Sequence, residues 1–475
     1  MDSTYKNNNP IVVAIDIGTT KICAVAGQRN FYGKLEILAV GKVESEGVLR
    51  GVVSNIEKTV RSISDAIRIV EQKLKKTVKV VHVGIAGQHI KSLQHKGSRL
   101  RDNGDVEISK NDIQQLIHDM YKLVLPPGDK ILHVFPQEYT IDNEQGIIDP
   151  VGMSGVRLEA NFHIITGQIT ASNNITRCIE KVGLKLSEMT LEPIASAASV
   201  LSDEEKEAGI ALIDIGGGTT DITIYYEGII RHTAVIPFGG NAITKDIKEG
   251  CNVMQNQAEK LKVKFGCALA DEVFDDKIIT IPGLKGRENK EISQKNLSLI
   301  IQARLEEIFD YVMWDIQRSG YERKLTGGLV LTGGGSLLAG IEKLASLHCG
   351  YETRIGLPIE HLAHGYHENV SSPIYATAIG LLYEASLHAT ESEVEDRLPD
   401  YRDTSNIPLE LAPTHSTPHY ARKETAVDAP KATAPQAEAK PQKEEEDVNK
   451  VSWGRGVMDK MKEMMSSNWE DSDLR

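Results

Sequence analysis

The sequence predicts an α/β chain built on a duplicated half, its two copies facing each other across a cleft that grips an anion. Two stretches carry the prediction and a third supports it. Ile210-Ala-Leu-Ile-Asp-Ile-Gly-Gly-Gly-Thr-Thr-Asp-Ile-Thr-Ile224 reads as an apolar strand, an aspartate at its exit, a glycine turn and a second, alternating strand. Ile11-Val-Val-Ala-Ile-Asp-Ile-Gly-Thr-Thr-Lys-Ile-Cys-Ala-Val25 repeats that order, too far upstream to be one unit of a short solenoid. Gly328-Leu-Val-Leu-Thr-Gly-Gly-Gly-Ser-Leu337 adds a strand, a glycine turn and a helix start.

Each hairpin has parts suited to phosphate. Gly18 in the first, and Gly216, Gly217 and Gly218 in the second, let the backbone approach a ligand closely because no Cβ intervenes. Successive N–H groups of such a turn form a concave nest for an anion. Thr19 and Thr20, and Thr219 with Thr220, add hydroxyl donors. Asp214, leaving its strand beside the turn, can hold a hydrated Mg²⁺, which prefers carboxylate oxygens and retained waters. One such hairpin alone reads equally as an ordinary turn. Two in register do not. Gly333, Gly334 and Gly335 supply a third wall, with Ser336 expected to cap the helix that follows. No Gly-Lys-Ser/Thr follows these glycines, which excludes a P-loop.

Composition bounds the rest. At 475 residues and 52.2 kDa the chain is expected to hold at least two domains. A net charge of −13 argues against a nucleic-acid surface, which needs clustered Lys and Arg. Cys23, Cys178, Cys251, Cys267 and Cys349 show no CxxC pair and no framework spacing, and read as buried or free thiols in a reducing compartment. The polar N-terminus lacks the apolar stretch of a signal peptide, and no run approaches the roughly 20 residues of a transmembrane helix. Membrane contact is therefore expected to be peripheral.

After the first hairpin, Leu35–Lys42 reads as β, and Asn55 to Lys75 as a helix. Ile56, Val60, Ile63, Ile67, Val70 and Leu74 make its buried stripe and Asn55 its N-cap. Val78–Ala86 is a strand. Residues 84–166 read as a separate module suited to protein contact: a helix opened by a Ser109/Asp112 capping box, then strands Ile131–Ile141 and Arg157–Thr166 around a turn-rich Asp142–Gly155. Thr170–Val182 is helical. Glu192 heads the next helix, with Pro193 in its first turn. Two readings stand for Glu192: a cleft carboxylate that orients an attacking water, or an acid favoured by the helix dipole.

Ile229–Phe238 follows as a strand, Gly239-Gly240 as a turn, and Thr244–Gly250 and Asn256–Phe265 as helices. Glu259 and Lys262 share a face and either grip a ribose and a base or form a surface ion pair. Ile278–Pro282 is a short strand, Ser293–Arg318 a long helix and Ser372–Leu387 the closing helix. His361, His364 and His367 have no acid or cysteine cluster beside them and are not read as a metal site.

From 388 to 450 the chain turns to Pro, Ala, Thr, Glu and Lys. Between Thr390 and Lys450 fourteen acids stand against eight bases with few large apolar residues, the signature of a disordered tether. Over 451–467 the composition reverses. Trp453, Val457, Met461 and Met464 share a helical face, flanked by Met458 and Met465, with Arg455, Asp459, Lys462 and Glu463 opposite. An amphipathic helix with no folded domain beside it reads as an interfacial membrane anchor; docking on a partner protein or on the core is the alternative.

Paired Asp-Ile-Gly turns with a late Gly-Gly-Gly-Ser resemble the actin, sugar-kinase and heat-shock ATPase superfamily. Within it, the chain resembles the FtsA family of bacterial cell-division proteins. The residues that carry this are Asp16-Ile-Gly-Thr-Thr-Lys21, His133-Val-Phe-Pro-Gln-Glu-Tyr139, Pro150-Val-Gly-Met-Ser-Gly-Val-Arg157, Asp214-Ile-Gly-Gly-Gly-Thr219, Arg231-His-Thr-Ala-Val-Ile-Pro237 and Leu331-Thr-Gly-Gly-Gly335. The resemblance implies an actin-like duplicated ATPase fold of two lobes around a nucleotide cleft, with an inserted α+β subdomain and a disordered C-terminal tail. It divides the chain into subdomain 1A (1–83, completed by about 167–191 and 356–387), inserted 1C (84–166), 2A (192–243 and 322–355) and 2B (244–321).

The resemblance also implies ATP and Mg²⁺ between the lobes. Lys21 would contact phosphate, Asp16 and Asp214 the hydrated metal, Glu259 and Lys262 the nucleoside, and Glu192 the attacking water, with little or no hydrolysis and no phosphotransfer substrate expected. Implied partners are the FtsZ C-terminal peptide on 2B, further copies of the chain in filaments, later division proteins on 1C, and the membrane surface. The implied place is the cytoplasmic face of the inner membrane at midcell. A small-molecule kinase or an ATP-dependent assembly adaptor is the alternative function. The family's tail helix is usually basic, whereas Asp459 and Glu463 interrupt the bases here, so burial of Trp and Met must supply more of the binding.

Overall fold

A computed structural model describes residues 9–283, 288–364, 368–389 and 393–395. Two five-stranded sheets repeat one topology. In the first, Val12–Ile17 lies at the centre, antiparallel to Lys21–Arg29, which pairs with Leu35–Glu44; on its other side Val80–Ile85 and Lys185–Leu191 run parallel. In the second, Ile210–Ile215 takes the centre, with Thr220–Tyr226 and Ile229–Ile236 antiparallel on one side and Leu329–Thr332 and Thr353–Ile355 parallel on the other. The duplication read in the hairpins therefore extends to whole sheets.

Each sheet has its own core. Every residue of Val12–Ile17 and Ile210–Ile215 is buried, as strands covered on both faces require. Helix Ile56–Leu74 lays Ile63, Ala66, Ile67 and Val70 on the first sheet, and the Asn55 side chain accepts from Lys58 N–H at 3.0 Å as its cap. Helix Gln294–Ser319 buries Leu297, Ile301, Leu305, Phe309, Val312 and Ile316 in the second core. Helices Glu192–Val200 and Ala376–His388 pack on each other beside both central strands.

The module after Ile85 is a four-stranded antiparallel sheet, in order Glu144–Ile147, Asp129–Ile141, Arg157–Gln168, Lys91–Leu100, with helix Lys110–Met120 against it. Its Ser109/Asp112 capping box is formed. Sequence periodicity misses two of these strands. Lys91–Leu100 is polar on both faces and buries only Gly97, so it is held by its ladder with Arg157–Gln168 rather than by an apolar stripe. Glu144–Ile147 is a short edge strand inside the expected turn region.

Three other expectations need correction. The helix placed at Thr244 begins at Gly240, so Gly239 alone makes the turn. The closing helix runs Ala376–His388, preceded by a 3-10 turn at Pro373–Tyr375. The tether does not start at His388 throughout: Val394–Glu395 pairs with Thr77–Val78, and Val394 is buried in the first core. Just before them, the Glu393 carboxylate accepts from Val13 N–H at 2.8 Å and meets His82 Nε2 at 2.6 Å. Residues 396–450 of the tether, and Trp453, Val457, Met458, Met461, Met464 and Met465 of the amphipathic helix, lie outside the described residues. His367 does too, while His361 stacks on Tyr383 with ring centroids 3.9 Å apart. Among the described residues no group of three His, Cys, Asp or Glu could hold a metal, and no helix is long and apolar enough to cross a membrane.

Candidate nucleotide site between the hairpins

The two hairpins form their turns by the same count of residues. Asp16 pairs with Cys23 across the first and Asp214 with Asp221 across the second. Their tips touch. A Cβ on Gly217 would stand 2.3 Å from Thr20 Cγ2, and one on Gly218 2.5 Å from Thr19 Oγ1, so this approach needs glycine at both places.

Beneath the tips lies a cavity of about 120 Å³. Asp16, Gly18, Thr19, Thr20 and Lys21 line it from the first hairpin, and Asp214, Gly216, Gly217, Gly218, Thr219 and Asp221 from the second. Gly333, Gly334, Glu192 and Thr377 complete the wall. A second cavity of about 340 Å³ shares Thr20, Gly216, Gly217 and Gly334 with the first. It extends to Gly335, Glu259 and Lys262. Glu259 and Lys262 line this cavity and pair with each other at 2.8 Å. Lys262 Nζ also donates to Gly240 O at 2.9 Å and Thr244 Oγ1 at 2.8 Å.

Ser336 does not take its expected place. It lies in the 3-10 turn Gly334–Leu337, and its buried hydroxyl donates to Gly333 O at 2.8 Å. The α-helix begins only at Ile341, with Gly340 as its N-cap. The Gly333–Gly335 turn thus faces the cavities without a helix N-terminus directly behind it.

Asp214 is fixed by groups the sequence did not single out. Ser196 Oγ donates to its Oδ2 at 2.7 Å and Thr377 Oγ1 at 3.3 Å, one from each of the two helices that pack beside the cleft. Asp16 pairs with Lys21. Asp221 was also missed; its only sequence signal was its place directly after the two threonines of the motif. Its Oδ1 is buried without a hydrogen-bond partner among the described residues.

The charges do not balance. Asp16, Glu192, Asp214 and Asp221 face one lysine. Burial, and then the neighbouring carboxylates, push Glu192 and Asp221 well above the usual carboxylate range, and burial pushes Asp214 up. Burial opposes the charge on Lys21, but Asp16 leads a set of neighbours that outweighs it, so its pKa is raised. An acid-rich pocket with glycine turns at its rim fits a hydrated divalent cation shared with a phosphate. Mg²⁺ needs only one or two carboxylates beside its waters, so the lack of a three-ligand cluster is compatible with it.

One consequence is measurable without ligand. The raised folded-state pKa of Asp221 means that its charge destabilises the fold above the ordinary carboxylate range and costs nothing below it. Asp221→Asn should therefore stabilise the free protein at pH 7–8 by about 1–3 kcal/mol. The gain should disappear as the pH falls below about 4, where both states are protonated. Thermal unfolding across pH checks both the sign and the window.

Comparison with known proteins agrees with this architecture. Residues 211–380 match the family described as Cell division protein FtsA, and residues 87–166 match the SHS2 domain inserted in FTSA. Cell division protein FtsA of Pseudomonas aeruginosa is 40% identical over 373 residues, covering 78% of this chain and 88% of that protein. Its counterpart in Neisseria meningitidis serogroup B is 41% identical over 378 residues, covering 79% and 90%. That of Escherichia coli K12 is 34% identical over 398 residues, covering 82% and 94%. Among solved structures, the PilM-PilN type IV pilus biogenesis complex matches with a TM-score of 0.58 at 14% identity, over 79% of this chain and 98% of that one. The fold is the duplicated actin-like ATPase fold carrying an inserted α+β module, and the chain belongs to the FtsA family of cell-division proteins.

Proposed function

We propose that this protein is an ATP-gated, actin-like polymer that ties the FtsZ ring to the cytoplasmic membrane and recruits later division proteins through its inserted module. The observation that carries this reading is the acid-rich cavity between two matched hairpins, which shares four lining residues with a second, larger cavity. Asp16 and Asp214 would hold hydrated Mg²⁺, Lys21 and the glycine turns the phosphates, and Glu259 and Lys262 the nucleoside. When bound, Mg²⁺ would neutralise phosphate charge beside these carboxylates. Glu192 lines the same cavity, in keeping with an acid that orients water, and slow or absent hydrolysis is expected.

The FtsZ C-terminal peptide is assigned to the lobe formed by residues 244–321. A groove of about 660 Å³ runs there between helix Gln255–Phe265 and strand Ile278–Ile281. Exposed Met254, Phe265 and Ile278 offer apolar contact, and Lys260, Lys264 and Lys277 offer charge. Such a groove suits an extended peptide with apolar and acidic side chains.

The membrane step rests on the sequence of 451–467. Burying Trp453, Val457 and the methionines would yield about 8–15 kcal/mol, and ordering the helix costs a similar amount. One helix therefore holds weakly, while a row of subunits gains avidity. Nucleotide would control attachment by favouring the polymerising conformer. The expected result is that co-sedimentation with liposomes requires both ATP and residues 451–475, and that Trp453→Glu lowers the bound fraction at least about tenfold. Undiminished binding by the Trp453→Glu chain would remove the anchor.

A further inference from the structure

Two motifs stand outside the nucleotide site: His133-Val-Phe-Pro-Gln-Glu-Tyr139 in the inserted module and Arg231-His-Thr-Ala-Val-Ile-Pro237 in the second sheet. They meet, and each does so at a β-bulge. In the module, Asn161 pairs with Glu138 and Phe162 with Pro136, which leaves Gln137 as the extra residue. In the second sheet, Ile224 pairs with His232 and Tyr225 with Ile230, which leaves Arg231 as the extra residue. Bulges re-aim side chains, and these two aim at each other. Gln137 Nε2 donates to Ile230 O at 3.0 Å and Arg231 O at 3.3 Å. Arg231 Nη1 donates to Glu138 at 2.8 Å, and its Nη2 to Glu227 at 2.9 Å.

The same module strand reaches the first lobe through His133. His133 Nε2 accepts from Leu191 N–H at 3.1 Å, at the residue directly before Glu192. Burial holds His133 down at about 4, so that nitrogen remains an acceptor at neutral pH. The strand Asp129–Ile141 therefore touches both halves of the cleft: the backbone that presents Glu192, and the strand hydrogen-bonded to the second hairpin.

The seam between module and second sheet is not packed as a finished core. His163, fully buried, meets Ser92 at 2.7 Å and Thr233 at 3.4 Å through Nε2. Its Nδ1 has no hydrogen-bond partner among the described residues. A buried unpaired nitrogen at an interface is costly in a permanent contact. It suits a contact that has a second arrangement.

We propose that strand Asp129–Ile141 couples the nucleotide cleft to the inserted module, with His133 positioning Glu192 and the Gln137–Arg231 contact reporting the place of the second lobe. The proposal rests on the reading of the cleft as an ATP site. Coupling is reciprocal, so whatever binds the module shifts nucleotide affinity by the factor that nucleotide shifts its own.

Hydrogen exchange on the full chain, with and without Mg²⁺ and a non-hydrolysable ATP analogue, tests it. In the wild type, nucleotide should change exchange both in the second hairpin, 210–224, and in the module strand, 129–141. In Gln137→Leu, and in the more conservative Glu138→Gln, the hairpin response should persist while the module response shrinks, with the analogue's Kd rising about fivefold or more. His133→Leu should weaken analogue binding, and His133→Gln, which keeps an acceptor near Nε2, should restore it. A wild-type module indifferent to nucleotide while the hairpin responds overturns the coupling and leaves the ATP reading standing. An unchanged module response in both seam variants overturns it too. If the hairpin itself does not respond, the ATP reading fails and the coupling falls with it.

Discussion

Lys21→Met is expected to lower affinity for ATP with Mg²⁺ by about two orders of magnitude or more. Lys21 is the one lysine lining a cavity that holds Asp16, Glu192, Asp214 and Asp221. It pairs with Asp16, whose side chain is almost wholly buried. Removing one partner of a buried ion pair costs about 3–5 kcal/mol, chiefly because the other charge is left uncompensated. The triphosphate would then meet four acids with no fixed cation. The lysine's pKa is raised, so its charge is present below the ordinary lysine value and is lost only above the elevated one. Binding in the wild type should accordingly show no loss traceable to this lysine between pH 6 and about 9. Calorimetric titration across that range measures both effects.

Gly333→Ala should be nearly as damaging, although it removes nothing. Gly333 has φ +81, where a side chain is disfavoured by about 1–2 kcal/mol. Its added Cβ would lie 2.2 Å from Asp214 Oδ1 and 2.7 Å from Ile215 O, and backbone cannot yield as a side-chain end can. The carboxylate would be driven off the hydroxyls of Ser196 and Thr377 that orient it. We expect at least a tenfold loss in nucleotide affinity with a weakened dependence on Mg²⁺.

The sequence made the hairpins legible because several constraints coincide there. An apolar strand buried on both faces, an acid at its exit and glycines at the contact leave few alternatives, and the second copy removes most of those. Helix Ile56–Leu74 was legible for a related reason: its stripe and its cap agree with each other. What escaped depended on partners distant in sequence. Lys91–Leu100 has no apolar alternation and becomes a strand only beside Arg157–Gln168. Ser196 and Thr377 are ordinary small polar residues until the fold brings both to Asp214.

Ser336 failed differently. A glycine turn followed by serine is a good helix-start signal, but the chain spends Gly334–Leu337 on a 3-10 turn first. The return of Glu393–Glu395 to the first lobe was hidden by a composition that reads as solvated throughout. Its ordering comes from one buried carboxylate on Val13 and His82 and one buried valine.

A double-mutant cycle on the two strand-exit acids tests the central claim most directly. Nucleotide affinity is measured for the wild type, Asp16→Asn, Asp214→Asn and the double variant, each with Mg²⁺. If both hairpins close on one metal-bound triphosphate, the double variant should lose far less than the sum of the single losses, because either change already releases the shared ligand. Losses that add within about 0.5 kcal/mol would mean that the two acids act independently, and the single cleft-bound nucleotide would have to be given up.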